Sequence, residues 1–97
     1  MRIISRKILK EFWQKHSQAE NALKSWFAET ESALWNTPQD IKRHYRSVDF
    51  LKNNRAIFNI AGNKYRLIVH INYNFKIVYI RFIGTHKEYD KIDPEII

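Results

Sequence analysis

The chain has 97 residues, of which 17 are lysine or arginine and 10 are aspartate or glutamate, so its formal net charge is +7. This length fits one small domain, and 44% hydrophobic residues with only two glycines and two prolines exclude a disordered basic tail. The lack of cysteine excludes disulfides and thiolate zinc sites, and no stretch approaches the roughly 18 apolar residues of a membrane span. We expect one domain over residues 1–97, in the cytoplasm and with no membrane partner.

The positive charge is concentrated in one part of the chain. Residues 41–87 contain ten basic side chains and one acidic side chain. Residues 1–40 contain six basic and five acidic side chains, and residues 88–97 contain one basic and four acidic side chains. A strongly basic central segment that follows a nearly neutral N-terminal segment indicates a surface that binds polyanions.

The first 44 residues predict a short strand and then helices. Residues 1–5 are compatible with a strand, and Ser5 is suited to cap a helix whose apolar residues include Leu9 and Trp13. The capping-box pattern Ser17-x-x-Glu20 predicts that a second helix begins at Ser17. Thr37-Pro38 predicts a third, short helix that runs to about His44.

After residue 54 the hydrophobic period changes to two, which predicts strands over 55–60, 64–73 and 76–85. A hairpin loop at 61–63 offers Gly62 and Asn63 for positive φ angles, and the last strand is apolar on both faces apart from Arg81. A helical turn is expected before Pro94. Helices followed by antiparallel strands indicate an α+β fold, a small antiparallel-rich twisted sheet with two N-terminal helices on one face.

The predicted alternation places a set of cationic side chains on the helix-free face: Arg55, Lys64, Arg66, His70 and Arg81. Such a face either binds a phosphate backbone or is an ordinary solvated strand surface. Arg81 lies within an apolar strand, so it either binds an anion or pairs with an acidic side chain of this chain, namely Asp49, Glu88 or Asp90.

The segment that follows the last strand combines groups capable of acid–base chemistry. RNA cleavage needs a base for the 2′-hydroxyl, cations for the phosphorane and an acid for the leaving 5′-oxygen. His86 and Tyr89 with nearby arginines supply these groups, although His86 is also compatible with an ordinary surface histidine. The spacing of His86, Glu88 and Asp90 does not favour a metal site.

The three tryptophans are potential stacking surfaces for bases. Trp13 and Trp26 lie on the apolar stripes of the predicted helices, so core packing is the stronger interpretation for them. Trp35 lies beyond the periodic pattern of the second helix. It is therefore predicted to be the tryptophan that is freer of the core and more available to stack on a base.

Two stretches, FNIAGNKYRLI from Phe58 and YIRFIGTHKEYD from Tyr79, resemble the HigB toxins of the RelE-like superfamily. The resemblance covers most of the chain. It implies a compact RelE-like fold and a metal-independent endoribonuclease, without cofactor, that cuts translated messenger RNA on the ribosome. It also implies inhibition by a HigA-type helix-turn-helix antitoxin, through which alone the toxin would reach operator DNA.

The resemblance also implies roles for particular residues. Arg66 matches the arginine that stabilises the phosphate, His86 matches a histidine of acid–base chemistry, and Tyr89 is the nearby hydroxyl. Arg81 is expected to join these three in catalysis, and five residues are expected to contact RNA: Arg55, Asn63, Lys64, His70 and Lys87. Where RelE has lysines in the preceding strand, this chain has Ile57 and Asn59.

Two other functions use the same basic face. One is a non-catalytic RNA-binding or ribosome-binding module, which would bind RNA in a salt-dependent way without cutting it. The other is a protein-interaction domain whose basic face binds an acidic partner.

Overall fold

The computed structural model describes residues 1–97 and contains nine helices and strands together with one 3₁₀ turn. In chain order they are β1 (Arg2–Ile4), α1 (Arg6–Lys15), the 3₁₀ turn (Ser17–Ala19), α2 (Glu20–Ser32), α3 (Pro38–His44), β2 (Asp49–Leu51), β3 (Arg55–Ile60), β4 (Tyr65–Asn72), β5 (Ile77–Thr85) and α4 (His86–Tyr89). The predicted helices and the three long strands are therefore confirmed, within one or two residues at most boundaries. β2 was not predicted.

The five strands form one sheet in the order β1-β5-β4-β3-β2. β1 runs parallel to β5, and all other neighbours are antiparallel. β2 pairs with β3 across a turn in which Asn53 and Asn54 both adopt positive φ angles. The prediction of an α+β fold with an antiparallel-rich sheet is confirmed, and β5 is a central strand as expected.

Helices α1 and α2 pack on one face of the sheet, and a single hydrophobic core lies between them and the strands. Leu9, Trp13 and Trp26 contribute to it from the helices, and Phe58 and Leu67 contribute from the sheet. None of the helices is long and apolar enough to cross a membrane.

The prediction that Trp35 is the freer tryptophan is wrong. Its side chain is only 3% exposed, and its ring stacks on Phe58 with centroids 6.1 Å apart. The chain between α2 and α3 returns over the core there, so an apolar residue outside any helical period is still buried.

The helix caps agree with the sequence at one position and differ at another. Thr37 caps α3 through the predicted pattern, since its side chain accepts a hydrogen bond from the amide of Asp40. The capping box predicted at Ser17 is wrong, because residues 17–19 form a 3₁₀ turn and α2 begins at Glu20. The Glu20 carboxylate instead accepts a hydrogen bond from Lys24 Nζ at 2.6 Å.

A β-bulge changes the faces of β5. Ile68 pairs with Phe82 and Val69 pairs with Ile80, so Arg81 is an extra residue without a partner in β4. Beyond the bulge the alternation is shifted by one residue. Ile83 therefore packs against the core, although simple alternation along the strand would place it on the same face as Ile77 and Tyr79.

Candidate active site

Arg66 lies near the start of β4, on the sheet face opposite the helices, because its neighbours Tyr65 and Leu67 point into the core. Its register partners are Asn59 on β3 and Gly84 on β5. A Cβ atom at residue 84 would lie 2.5 Å from the end of the Phe82 ring, so the ring occupies the space that a side chain there would need. Gly84 thus allows Phe82 to cover the sheet beside Arg66.

Helix α4 begins directly after β5 and carries the two residues that the sequence predicts for proton transfer. Thr85 Oγ1 accepts a hydrogen bond from the Glu88 amide, and Glu88 Oε1 accepts one from the Thr85 amide at 2.8 Å. This capping box fixes the orientation of the single helical turn. His86 and Tyr89 are three residues apart on it and therefore lie on neighbouring positions of one face. The pattern Thr85-x-x-Glu88 is visible in the sequence, but it is not among the capping boxes predicted above.

Arg66 and Tyr89 are brought together by the fold. The Arg66 guanidinium carbon lies 5.8 Å from the centroid of the Tyr89 ring, within the range of a cation–π contact. Both side chains are half-buried, so the ring orients a cation that still reaches solvent. The phenol hydroxyl and the guanidinium are thereby available on the same side of the sheet.

His86 is held by the hairpin between β3 and β4. Its Nε2 atom hydrogen-bonds to the main-chain oxygen of Asn63. Because a carbonyl oxygen only accepts, Nε2 must be the donor, and in the neutral ring Nδ1 is the unprotonated nitrogen. The hairpin residues with positive φ are Ala61 and Gly62, so the prediction of a positive φ at Asn63 is wrong. Asn63 thus positions His86 through its main chain.

The carboxyl group of Glu88 has a pKa below its ordinary value. The largest cause is the hydrogen bond from the Thr85 amide, which stabilises the ionised form, and His16 adds a smaller attraction. Burial acts in the opposite direction but does not outweigh these effects. Ionised Glu88 therefore stabilises α4, which carries His86 and Tyr89.

This coupling predicts that the stability of α4 depends on pH. A group whose folded-state pKa is lowered stabilises above its unfolded pKa, about 4.3 for Glu, and that contribution disappears as pH falls through the folded value. We expect Glu88→Gln to speed hydrogen exchange of the Asp90 amide, which bonds to the His86 carbonyl, by about threefold at pH 7. The ratio to wild type should fall toward one as the pH is lowered through the folded-state pKa of Glu88. A ratio that stays constant from pH 7 down to a pH at which this carboxyl is fully protonated would contradict this role of Glu88.

The other predicted RNA-contacting residues lie in different places. Lys64 donates a hydrogen bond to Gln18 Oε1 at 2.9 Å, next to the helical layer, so its predicted position on the helix-free face is wrong. It precedes β4 by one residue and does not share the alternation of that strand. Lys87 is exposed on α4.

His70 lies on the helix-free face, half-buried against Tyr79 with ring centroids 6.0 Å apart. Burial is the main cause that lowers the pKa of His70, and the nearby charges of Arg55 and Arg81 lower it further. His70 therefore favours the neutral form beside two cations.

Arg55 and Arg81 converge on one atom. The main-chain oxygen of Ile97 accepts hydrogen bonds from Arg55 Nε at 3.0 Å, Arg55 Nη2 at 2.7 Å and Arg81 Nε at 3.3 Å. The structure thus groups Arg81 with Arg55, and Arg66 with Tyr89.

The cations of the helix-free face form no ion pair with an aspartate or glutamate side chain of the chain. The three ion pairs of the structure join helical residues only, and the pairing of Arg81 with Asp49, Glu88 or Asp90 that the sequence left open does not form. The chain contains no group of three or more histidine, aspartate or glutamate side chains that could hold a metal ion.

A family model for the HigB toxin, the RelE-like toxic component of a toxin–antitoxin system, matches residues 19–92. The chain belongs to the HigB toxin family. The match includes Arg66, His86 and Tyr89, and it confirms the family that the sequence motifs indicate.

Curated relatives of this HigB-family chain match along most of its length. It is 29% identical over 92 residues to the mRNA interferase toxin HigB of Escherichia coli strain K12. The matched region covers 93% of this chain and 88% of that protein. It is 29% identical over 94 residues to the mRNA interferase HigB of Escherichia coli O6:H1, with coverage of 95% and 91%. An mRNA interferase HigB of Shigella flexneri matches at the same identity over 92 residues.

Proposed function

We propose that this HigB-family chain is an endoribonuclease that cuts messenger RNA while it is translated on the ribosome. The observation that carries the proposal is the meeting of Arg66, His86 and Tyr89 at one end of β4 and β5. The names of its relatives, mRNA interferases, support the same activity.

The geometry supports a division of roles in the cleavage of a phosphodiester. Nδ1 of His86 is the nitrogen free to take the proton of the 2′-hydroxyl, because Nε2 is held by Asn63. The oxygen then attacks the adjacent phosphorus, and the bond to the 5′-oxygen breaks. Arg66 neutralises the charge that develops on the phosphorane. The hydroxyl of Tyr89 supplies or relays the proton that the leaving 5′-oxygen takes up.

Two lysines near the candidate active site, Lys64 and Lys87, are suited to bind the RNA that is being cut. Lys64 follows Asn63, whose main-chain oxygen bonds to His86, and Lys87 is the residue directly after His86 on α4. Neither lysine forms an ion pair. We assign them to the RNA backbone or to ribosomal RNA, together with the side chain of Asn63. Such contacts would make binding strongly dependent on salt.

The toxin–antitoxin family implies an antitoxin partner, and we propose that it is of the HigA type, with a helix-turn-helix DNA-binding domain. In this proposal the toxin reaches operator DNA only through the antitoxin. In this proposal residues 1–97 act as one toxin domain. They act in the cytoplasm, because that is where ribosomes and translated messages are.

The test is cleavage of a reporter message in a purified translation system. We expect cuts in the translated message, none in the same message with its start codon removed, and suppression by a stoichiometric HigA-type antitoxin. Intact message together with salt-dependent RNA binding would instead identify a non-catalytic RNA-binding module. Equal cutting of both messages would contradict ribosome dependence alone.

A further inference from the structure

Phe82 is an aromatic side chain on the helix-free face that the proposed mechanism does not use. It pairs with Ile68 on β4 and does not belong to the hydrophobic core between the sheet and the helices. The bulge at Arg81 turns Phe82 to this face, because simple alternation from Val78 and Ile80 would turn it toward the helices.

Gly84 determines where the Phe82 ring lies. A Cβ atom at residue 84 would lie 2.5 Å from Cζ and 3.0 Å from Cε2 of the ring, and 3.1 Å from Glu88 Oε1. The ring therefore extends over Gly84 toward α4. Gly84 is the strand partner of Arg66, and the Cβ positions of such partners are about 4.5–5.5 Å apart. The end of the ring thus lies beside Arg66.

The Phe82 ring has a face that no other group of the chain occupies. It is half-buried, and it forms neither a ring–ring contact nor a cation–π contact. The neighbouring rings on the same side of the sheet are occupied. Tyr79 stacks with His70, and Tyr89 contacts Arg66. Phe82 is therefore the open aromatic surface beside the catalytic arginine.

A nucleobase is the group that fits such a surface. Aromatic side chains on the exposed face of a sheet stack on the bases of single-stranded RNA, and every base has a π face for this contact. A phosphate held by Arg66 brings the bases of the two nucleotides that it joins close to the Phe82 ring. The guanidinium and the ring together offer one contact for the phosphate and one for a base.

We infer that Phe82 is a stacking platform for the base of a nucleotide that flanks the scissile phosphate, and that Gly84 is required for the ring to lie there. The inference rests on the proposed function, since the phosphate at Arg66 is the one that is cut. Phe82 is then a substrate-binding residue with no part in proton transfer. If the ring only shields Ile68 from water, its loss lowers stability but does not depend on the base.

The ring is tested by single-turnover cleavage on purified ribosomes stalled at the mapped cut site. We expect Phe82→Leu to lower the limiting rate divided by the half-saturating toxin concentration about tenfold, because leucine still covers Ile68 but has no π face. Phe82→Tyr should stay within about twofold of wild type. Phe75→Leu is the matched control, at a ring that is 76% exposed in the turn before β5. A wild-type value for Phe82→Leu would overturn the inference.

The base is tested from the RNA side. An abasic ribonucleotide, which keeps its phosphates and its 2′-hydroxyl, is placed on each side of the cut in turn. At one of the two positions the wild-type protein should cut about tenfold less efficiently, whereas Phe82→Leu should lose nothing further. Additive losses at both positions, or no loss at either, would show that the ring does not contact a base.

Gly84→Ala moves the ring without removing it. The added methyl group takes the place of the ring's end, which lies at the end of a flexible side chain and swings aside while the fold is kept. We expect a loss about equal to that of Phe82→Leu, and no further loss when the two substitutions are combined. Additive losses would contradict the role of Gly84.

A message that carries 2-aminopurine beside an uncleavable 2′-O-methyl nucleotide separates this inference from the proposed function. The fluorescence of 2-aminopurine falls when it stacks, so the wild-type protein should quench it and Phe82→Leu should not. If the normal message is cut but Phe82→Leu quenches equally and cuts normally, the proposed function stands and the platform does not. Quenching that requires Phe82, without any cleavage, would support the platform and contradict the proposed function.

Discussion

His86→Ala is expected to lower the single-turnover rate of message cleavage by about 10²- to 10⁴-fold, because it removes the group that we assign to proton transfer. The fold should survive, since His86 lies on a four-residue helix outside the core. His44→Ala is the matched control, because His44 is an exposed histidine on α3 and has no assigned role. Rates within threefold of wild type for both variants would remove His86 from the mechanism.

Arg66→Ala belongs to the same prediction and should cost about 10²- to 10³-fold in rate, the usual effect of losing one group that stabilises developing charge. Arg66→Lys should recover only part of the rate, because lysine keeps the charge but lacks the forked donors. Tyr89→Phe separates two contributions. It keeps the ring beside Arg66 and removes only the hydroxyl, so its loss of rate measures the proton-transfer role.

Phe58→Ala is expected to lower the free energy of unfolding by about 3–5 kcal/mol, the largest stability effect of any single substitution considered for this chain. Phe58 is 2% exposed, and its ring contacts Trp26, Trp35 and Tyr45 with centroids 5.4, 6.1 and 5.2 Å away. Truncation leaves a cavity among three large rings that cannot collapse into it. Small domains have only about 5–15 kcal/mol in total, so this substitution should remove a large fraction of the stability and lower the midpoint of urea denaturation strongly.

The measurement is urea denaturation, compared with Phe75→Ala as a control. Phe75 is 76% exposed in the turn before β5, and its truncation should change the free energy of unfolding by less than about 0.5 kcal/mol. A loss below about 1 kcal/mol for Phe58→Ala would show that the aromatic cluster does not anchor the sheet to the helices.

The fold was predictable where periodicity is long. The alternation of β3 and β4 extends over six and eight residues, and the stripe of α1 over ten, so each pattern contains enough apolar positions to identify its element. β2 has only three residues, Asp49–Leu51, and it forms because a turn with two left-handed asparagines returns the chain beside β3. Three residues carry no measurable period.

The sequence was sufficient to predict which residues belong to the candidate site, but not all of the contacts that these residues make. The motif around His86 and Tyr89 and the strand position of Arg66 are local features of the sequence. The contact of Arg81 with Ile97 depends on a bulge and on the return of a segment 16 residues away, which no local pattern encodes. The sequence also offers two equivalent capping boxes, and only the structure shows that the one at Thr85 forms and the one at Ser17 does not.

The central claim is that this protein cuts a message through attack by the 2′-hydroxyl adjacent to the scissile phosphate. The most direct measurement is cleavage, on purified ribosomes, of a message that carries a single 2′-deoxynucleotide at the mapped cut site, beside the unmodified message. We predict that the unmodified message is cut by the wild-type protein and that the deoxy-substituted message remains intact at that position. Cleavage of the substituted message at the same bond would contradict the mechanism assigned to His86, Arg66 and Tyr89.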